Sequence, residues 1–195
     1  MKFFKENSYD IIRLYINQIG ITIFSLLLYI PILNLKDEAL KPKLMVAISV
    51  FAILFYFALL YTASWDWGAK DKIRIDAKRI ECKKYKGALM ALIANVPNFI
   101  LASICSITMF IHIQSNAGAA YSVYYVFNSI LRLSAAMYLG LLQGIFSAVE
   151  NNDFNGLFVS LGYLILPALA IGVTHLGYIF GLKEFKIFKT RKKQK

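Results

Sequence analysis

The chain has 195 residues, of which 58% are hydrophobic and only 17% charged, with a mean hydropathy of +0.57. A soluble domain carries about 25% charged residues, and apolar blocks of about twenty residues have no place in one, so a soluble globular fold is excluded. The net charge of +11 is confined to a central segment and the C-terminal tail. That suits anionic lipid headgroups rather than nucleic acid, for which no basic-aromatic module is present.

The first ten residues, MKFFKENSYD, are mildly basic, and Ile11 to Leu33 is the first apolar block, with Arg13, Asn17 and Gln18 near its start. A cleaved signal peptide competes with a membrane helix here. The run is long for an h-region, and no small-x-small site occurs in the following NLKDEALKPK. The expectation is therefore an uncleaved transmembrane helix ending near Pro31. Asn34 to Lys43 is expected to be an outside turn. Leu44 to Ser64 is a second span of 21 uncharged residues, about 30 Å as a helix. Trp65 and Trp67 suit the interfacial belt, and Gly68 suits a helix cap.

Trp65 to Gly87 carries eight of the 22 Lys and Arg residues, interleaved with Asp66, Asp71, Asp76 and Glu81. Translocating eight cations is costly, so this segment is expected on the cytoplasmic side. An amphipathic surface helix would turn Ile73, Ala77 and Ile80 to the bilayer. The alternation from Lys72 to Asp76 fits helical spacing poorly, and a solvated loop is expected instead. Asp66 is expected to pair with a nearby lysine. By layout alone, a basic segment between the second and third spans is similar to permease subunits that dock a cytosolic protein partner there. The domain reading is a transmembrane unit over 1–182 with a cytoplasmic loop at 65–87, and a basic tail at 183–195.

Ala88 to Ile113 is the third block. Pro97 removes one helical hydrogen bond, so a kink is expected, with Asn95 and Asn98 beside it to satisfy freed groups. Ala94, Asn98, Ala102 and Ser106 recur every four residues, the mark of a packing face. Ala117 to Val149 runs 33 residues with one charge, Arg132. Asn128, Arg132, Ala136, Gly140, Gly144 and Ala148 recur every four residues, and Gly140 and Gly144 form a close-packing pair. A single long helix with Ala136, Gly140, Gly144 and Ala148 as its packing face is expected. After ENNDFNG, a loop without Lys or Arg, comes Leu157 to Phe180, interrupted by Pro167 and followed by Gly177, Gly181 and a tail with seven cations against one acid.

Two cytoplasmic segments must be separated by an even number of crossings, yet three apolar blocks lie between the basic loop and the tail. The fourth block could be two short passes turning near Arg132, the Pro97 block could be re-entrant, or the tail could lie outside. The sequence leaves this open. The fold class is all-α: a polytopic membrane bundle of five hydrophobic helices, with a sixth pass or a re-entrant segment as the variant.

No catalytic motif is present: no HExxH, no GxSxG, no phosphate-binding glycine loop and no paired carboxylates within an apolar block. An enzyme is not expected, and no cofactor or metal is implied. Cys82 and Cys105 give no disulfide framework, and His112 and His175 are too far apart in sequence to suggest a metal site. Arg132 is the sharpest feature, because a guanidinium at a helix centre in a bilayer costs about 2.5–3.5 kcal/mol unless it snorkels or pairs. No Asp or Glu lies within an apolar block to neutralise it. Its expected partners are Asn95, Asn98 and the carbonyl freed at Ile93, and with Asn128 these residues form the candidate polar site. Two functions remain: a non-catalytic membrane subunit or scaffold packing through small-residue faces against a membrane or cytosolic partner, or a small transporter or permease component. In the second, Arg132 and the Pro97 region line a path for an anionic solute or lipid headgroup.

Overall fold

The computed structural model describes residues 2–146, 149 and 152–185, which form helices without strands. Five long helices are present: α1 (Lys2–Leu33), α2 (Leu40–Asp76), α3 (Lys86–Ser115), α4 (Gly118–Ser134) and, after a 3₁₀ turn at Ala136–Tyr138 and the short α5 (Leu139–Phe146), α6 (Asn152–Leu182). Four of them, α1, α2, α3 and α6, are long and apolar enough to cross a membrane. Prolines 31, 97 and 167 all lie inside continuous helices. The protein is a multi-pass helical membrane bundle.

Its interior is organised for a lipid solvent. Along α1 the buried positions include Gln18, Thr22, Ser25 and Tyr29, while Ile12, Ile16, Ile23, Leu27 and Ile30 are each more than half exposed. A helix in water would bury the second set and expose the first. In a bilayer, apolar chains cost nothing outside, and polar side chains inside find backbone carbonyls or one another. Ser25 does so with the Ile21 carbonyl and Tyr29 with Ser49. Ala94, Asn98, Ala102 and Ser106 of α3 are all buried, so the four-residue stripe there is a packing face.

Four expectations are corrected. The segment after Ser64 is not a solvated loop from Trp65 onward, since α2 continues to Asp76 and only 77–85 connects it to α3. The interleaved acids account for this: Lys70 pairs with Asp66 at 2.6 Å and Lys72 with Asp76 at 2.5 Å, both one helical turn apart. Gly68 caps nothing. It lies within α2, where it packs against Gly181 of α6, and a methyl group on it would collide with the Tyr178 carbonyl oxygen. Trp67 is buried in the core rather than placed at an interface.

The last correction is the fourth apolar block, which is not one helix. It breaks at Ala135 (φ −132°, ψ 37°) and bends by 89° between α4 and the segment that follows. The break contains no glycine or proline. The Ser134 carbonyl, which in a continuous helix would accept from the Tyr138 amide, accepts instead from the Thr22 hydroxyl of α1 at 3.1 Å. The Tyr138 amide turns back to Ala135 in a 3₁₀ hydrogen bond.

Both limbs of the resulting hairpin end beside the start of α6. At the α4 end, His112 contacts the Ala117 carbonyl at 3.2 Å and Asp153 at 4.0 Å. At the α5 end, Asn155 donates to the Phe146 carbonyl at 2.8 Å. The hairpin therefore begins and ends beside the same end of α6, and the described helices give four candidate spans, or five if the bent pair is one broken span. Trp65 donates to the Phe185 carbonyl at 2.8 Å, and Asp71 meets Tyr178. The Gly68–Gly181 contact is where α2 and α6 approach most closely, so Gly68→Ala or Gly181→Ala should lower stability by about 1–3 kcal/mol through overpacking. Gly20→Ala, with nothing within 4 Å of its added methyl, should be neutral or stabilising by up to about 1 kcal/mol. Thermal unfolding of the purified variants in detergent checks the contrast.

Candidate functional site

Two polar clusters sit at opposite ends of the bundle. At the basic end, Asp71 is 3% exposed although it is ionisable. Lys86 of α3 reaches it at 2.7 Å, Tyr178 of α6 donates to it at 2.9 Å, and Arg74 stands 3.7 Å away. One carboxylate thus ties α2, α3 and α6 together through charge-assisted bonds. Beside it is a cavity of ≈400 Å³ lined also by Glu6, Asn7, Glu81 and Lys83, so its charges are mixed and mutually compensated. This is a structural clamp.

At the other end the hairpin walls a cavity of ≈360 Å³. Arg132 and Asn128 reach it from α4, Gln143 from α5, and Asp153 and Asn155 from the first turns of α6. Tyr121, Tyr124 and Tyr125 form an aromatic wall on α4, and Met109 of α3 faces them. Arg132 makes no ion pair among the described residues, and its Nε is buried without a hydrogen-bond partner. Asn128 is 7% exposed with its Oδ1 likewise unpartnered. Arg132 and Asn128, one helical turn apart, thus both line this cavity, and each holds one buried atom without a hydrogen-bond partner.

The residues expected to surround Arg132 are divided. Asn128 shares its cavity. Asn95 and Asn98 do not meet it: Asn95 donates to the Ala91 carbonyl at 2.9 Å, and Asn98 donates to Asn95 at 3.3 Å. They lie at least eleven positions before Met109 on α3, about 16 Å along the helix. The pairing of Arg132 with Asn95 and Asn98 is thus corrected, the reason being that the broken α4 meets the far half of α3. Ala136 is buried in the hairpin tip, and Gly140 packs against the Met45 carbonyl of α2 and Gly144 against the Val46 side chain. Ala148 lies outside the described residues. The break also puts Gly140 and Gly144 on a different helix from Arg132.

Sequence reading overlooked Gln143, Asp153 and the tyrosines of this cavity, because the turn at Ala135 that gathers them has no local signal. It also passed over Asp71, one of four acids in a charged stretch. Its signal was Gly68 three residues before it, which marks that face of α2 as the one pressed against α6. No family model, curated protein or solved structure matches the chain.

Removing the Asp71 carboxylate strands the buried Tyr178 hydroxyl and the half-buried Lys86 ammonium. Asp71→Ala should cost about 3–5 kcal/mol, the range for breaking a buried charge pair from one side. Tyr178→Phe should cost only about 1.5–3 kcal/mol, the worth of one hydrogen bond to a charged group. Chemical unfolding in detergent micelles separates the two, and equal effects would show that Asp71 is not the shared partner.

Proposed function

We propose that the chain is a small transporter or permease component of the cell membrane that binds an anionic group, carried by a solute or a lipid headgroup, on Arg132 beside the hairpin. The observation that supports this most directly is the cavity itself: a guanidinium without a carboxylate partner on the wall of a polar space of ≈360 Å³. That volume falls in the range of about 300–1,000 Å³ used for small-molecule ligands. Arg offers a planar fork suited to carboxylate or phosphate, and Asn128 and Gln143 supply further polar contacts. In this reading the basic segment 65–87 faces the cytoplasm and anionic lipid, so the cavity opens to the opposite side. Chemistry on the ligand is not part of the reading, since no catalytic constellation accompanies Arg132. The alternative, a scaffold that packs on partners through its small-residue faces, has less support. Gly68, Gly140, Gly177 and Gly181 are all packed against helices of this same chain.

Two experiments test the proposal. Calorimetry with the purified chain in nanodiscs, using N-acetyl-L-leucinate and methyl phosphate as monoanionic probes, should give binding that falls at least tenfold in Arg132→Gln. Arg132→Lys should recover part of it, because a point charge replaces the fork incompletely. Affinity unchanged in Arg132→Gln would overturn the assignment. For orientation, Cys82 is exposed and free, and a membrane-impermeant thiol reagent should leave it unlabelled in intact cells and label it after permeabilisation. Labelling from outside would reverse the topology.

A further inference from the structure

A further cavity at the basic end differs in charge from the one beside Asp71. It measures ≈590 Å³ and is lined by Lys83, Lys84, Tyr85, Lys86 and Leu89 at the start of α3, together with Phe3 of α1. No acid among the described residues lines it. The Asp71 cavity shares Lys83 and Lys86 but sets Glu6, Asp71 and Glu81 against its cations. Lys86 is already engaged by Asp71 at 2.7 Å. Lys83 and Lys84 make no ion pair among the described residues, so two cations border this cavity uncompensated.

From this arrangement we infer that the cavity is the headgroup site of an anionic phospholipid that carries two phosphate charges, with its acyl chains lying along α3. The inference narrows the general attraction of segment 65–87 for anionic lipid to one place on the molecule, and it is independent of Arg132. Basic pockets between membrane helices bind lipid headgroups with more than one phosphate. Two charges match the two uncompensated lysines, whereas a headgroup with one would leave a lysine unmet.

The apolar part of the site points to lipid rather than a soluble anion. Phe3, Tyr85 and Leu89 supply apolar lining. From Leu89 the apolar surface continues down α3, since Leu92, Val96 and Ile100 share its face and are all exposed. Chains attached to a phosphate on the lysines would leave along that face, which a soluble anion would not use. The walls are also held in place. Tyr85 is 71% exposed, yet its ring stacks on His175 of α6, with centroids 5.9 Å apart and planes at 6°. The Lys86 amide donates to the Lys83 carbonyl at 3.1 Å, closing the turn that gathers the three lysines. No side chain caps the N-terminus of α3 and its first turn holds no acid, so the helix dipole adds to the positive potential there.

Cys82 lines the same cavity and is exposed, while Cys105 is buried, so alkylation of Cys82 reports occupancy directly. With the full-length chain in neutral detergent, cardiolipin, which carries two phosphates, should slow that alkylation at least fivefold. Phosphatidylglycerol, with one phosphate, should slow it less, and phosphatidylcholine should leave it unchanged. Fluorescent cardiolipin should bind at least tenfold more weakly to the double variant Lys83→Gln, Lys84→Gln, at about fivefold per lysine. The double variant Lys78→Gln, Arg79→Gln removes the same charge from exposed residues of the same segment that do not line the cavity, and should weaken binding less than threefold. Thermal midpoints without lipid check that each variant folds. Equal losses in the two double variants, or no protection of Cys82 by cardiolipin, would overturn the site and leave only diffuse attraction. Equal protection by phosphatidylglycerol would overturn the two-charge assignment, and equal protection by inorganic pyrophosphate would replace the lipid with a soluble anion.

Discussion

One hydrogen bond closes the turn of the fourth apolar block: the Thr22 hydroxyl of α1 to the Ser134 carbonyl of α4, at 3.1 Å. A hydroxyl in an apolar interior must find an acceptor, and an unmet one costs about 1–3 kcal/mol. Thr22 meets the carbonyl that the break leaves without its helical amide, and the chain turns at the next residue. Tyr29 then holds the returning limb, since its hydroxyl accepts from the Gly140 amide at 3.3 Å and bonds to Ser49 at 2.6 Å. With the hairpin turned back, Gly140 can press on the Met45 carbonyl of α2. α4 lies along α3, and the cavity walled by α4, α5 and the start of α6 follows from this return.

The same turn bears on the crossing count. An apolar run of thirty-three residues is too long for one upright span of about 20 residues and too short for two comfortable ones. A re-entrant hairpin is a third solution. Non-helical backbone at membrane depth is tolerated only when buried in protein or lining a polar cavity, and the turn at Ala135 and Ala136 is fully enclosed. α1 and α2 supply that enclosure on one side, and Tyr163 of α6 meets the Tyr138 ring on the other.

How much of this was legible in the sequence differs by element. The four long spans were legible because hydropathy over a span is a sum over some twenty residues, insensitive to any one contact. The buried face of α3 was legible too, since Ala94, Asn98, Ala102 and Ser106 share one helical face whatever packs on it. The end of α2 was not. Segment 65–87 reads as a loop by charge density, yet its acids stand one turn from its lysines, and the pairs at Asp66 and Asp76 carry the helix past the apolar boundary. The break at Ala135 could not be read locally at all, for the hydroxyl that meets its freed carbonyl comes from a threonine 112 residues away. Of the site, Arg132 and Asn128 were found because a polar residue in an apolar run is conspicuous. Gln143 and Asp153 reach the same cavity only through the turn, so no pattern along the chain connects them.

Arg132 itself shows how the break and the site are one device. In an unbroken helix the guanidinium would sit mid-span, with every backbone carbonyl near it already engaged. Because α4 stops at Ser134, Arg132 lies in its last turn, where the helix dipole presents partial negative charge. A cation there is favoured by about 0.3–1 kcal/mol, and by up to ~2 kcal/mol when partly buried. That offsets part of the roughly 2.5–3.5 kcal/mol of placing arginine deep in a membrane, and the polar cavity lowers the penalty further. The cation is thereby held without a carboxylate on its fork. Had an acid been used instead, Arg132 would be as stable and the fork would be closed to any other anion. Compensation by a helix end rather than by a counter-charge keeps the site both folded and open.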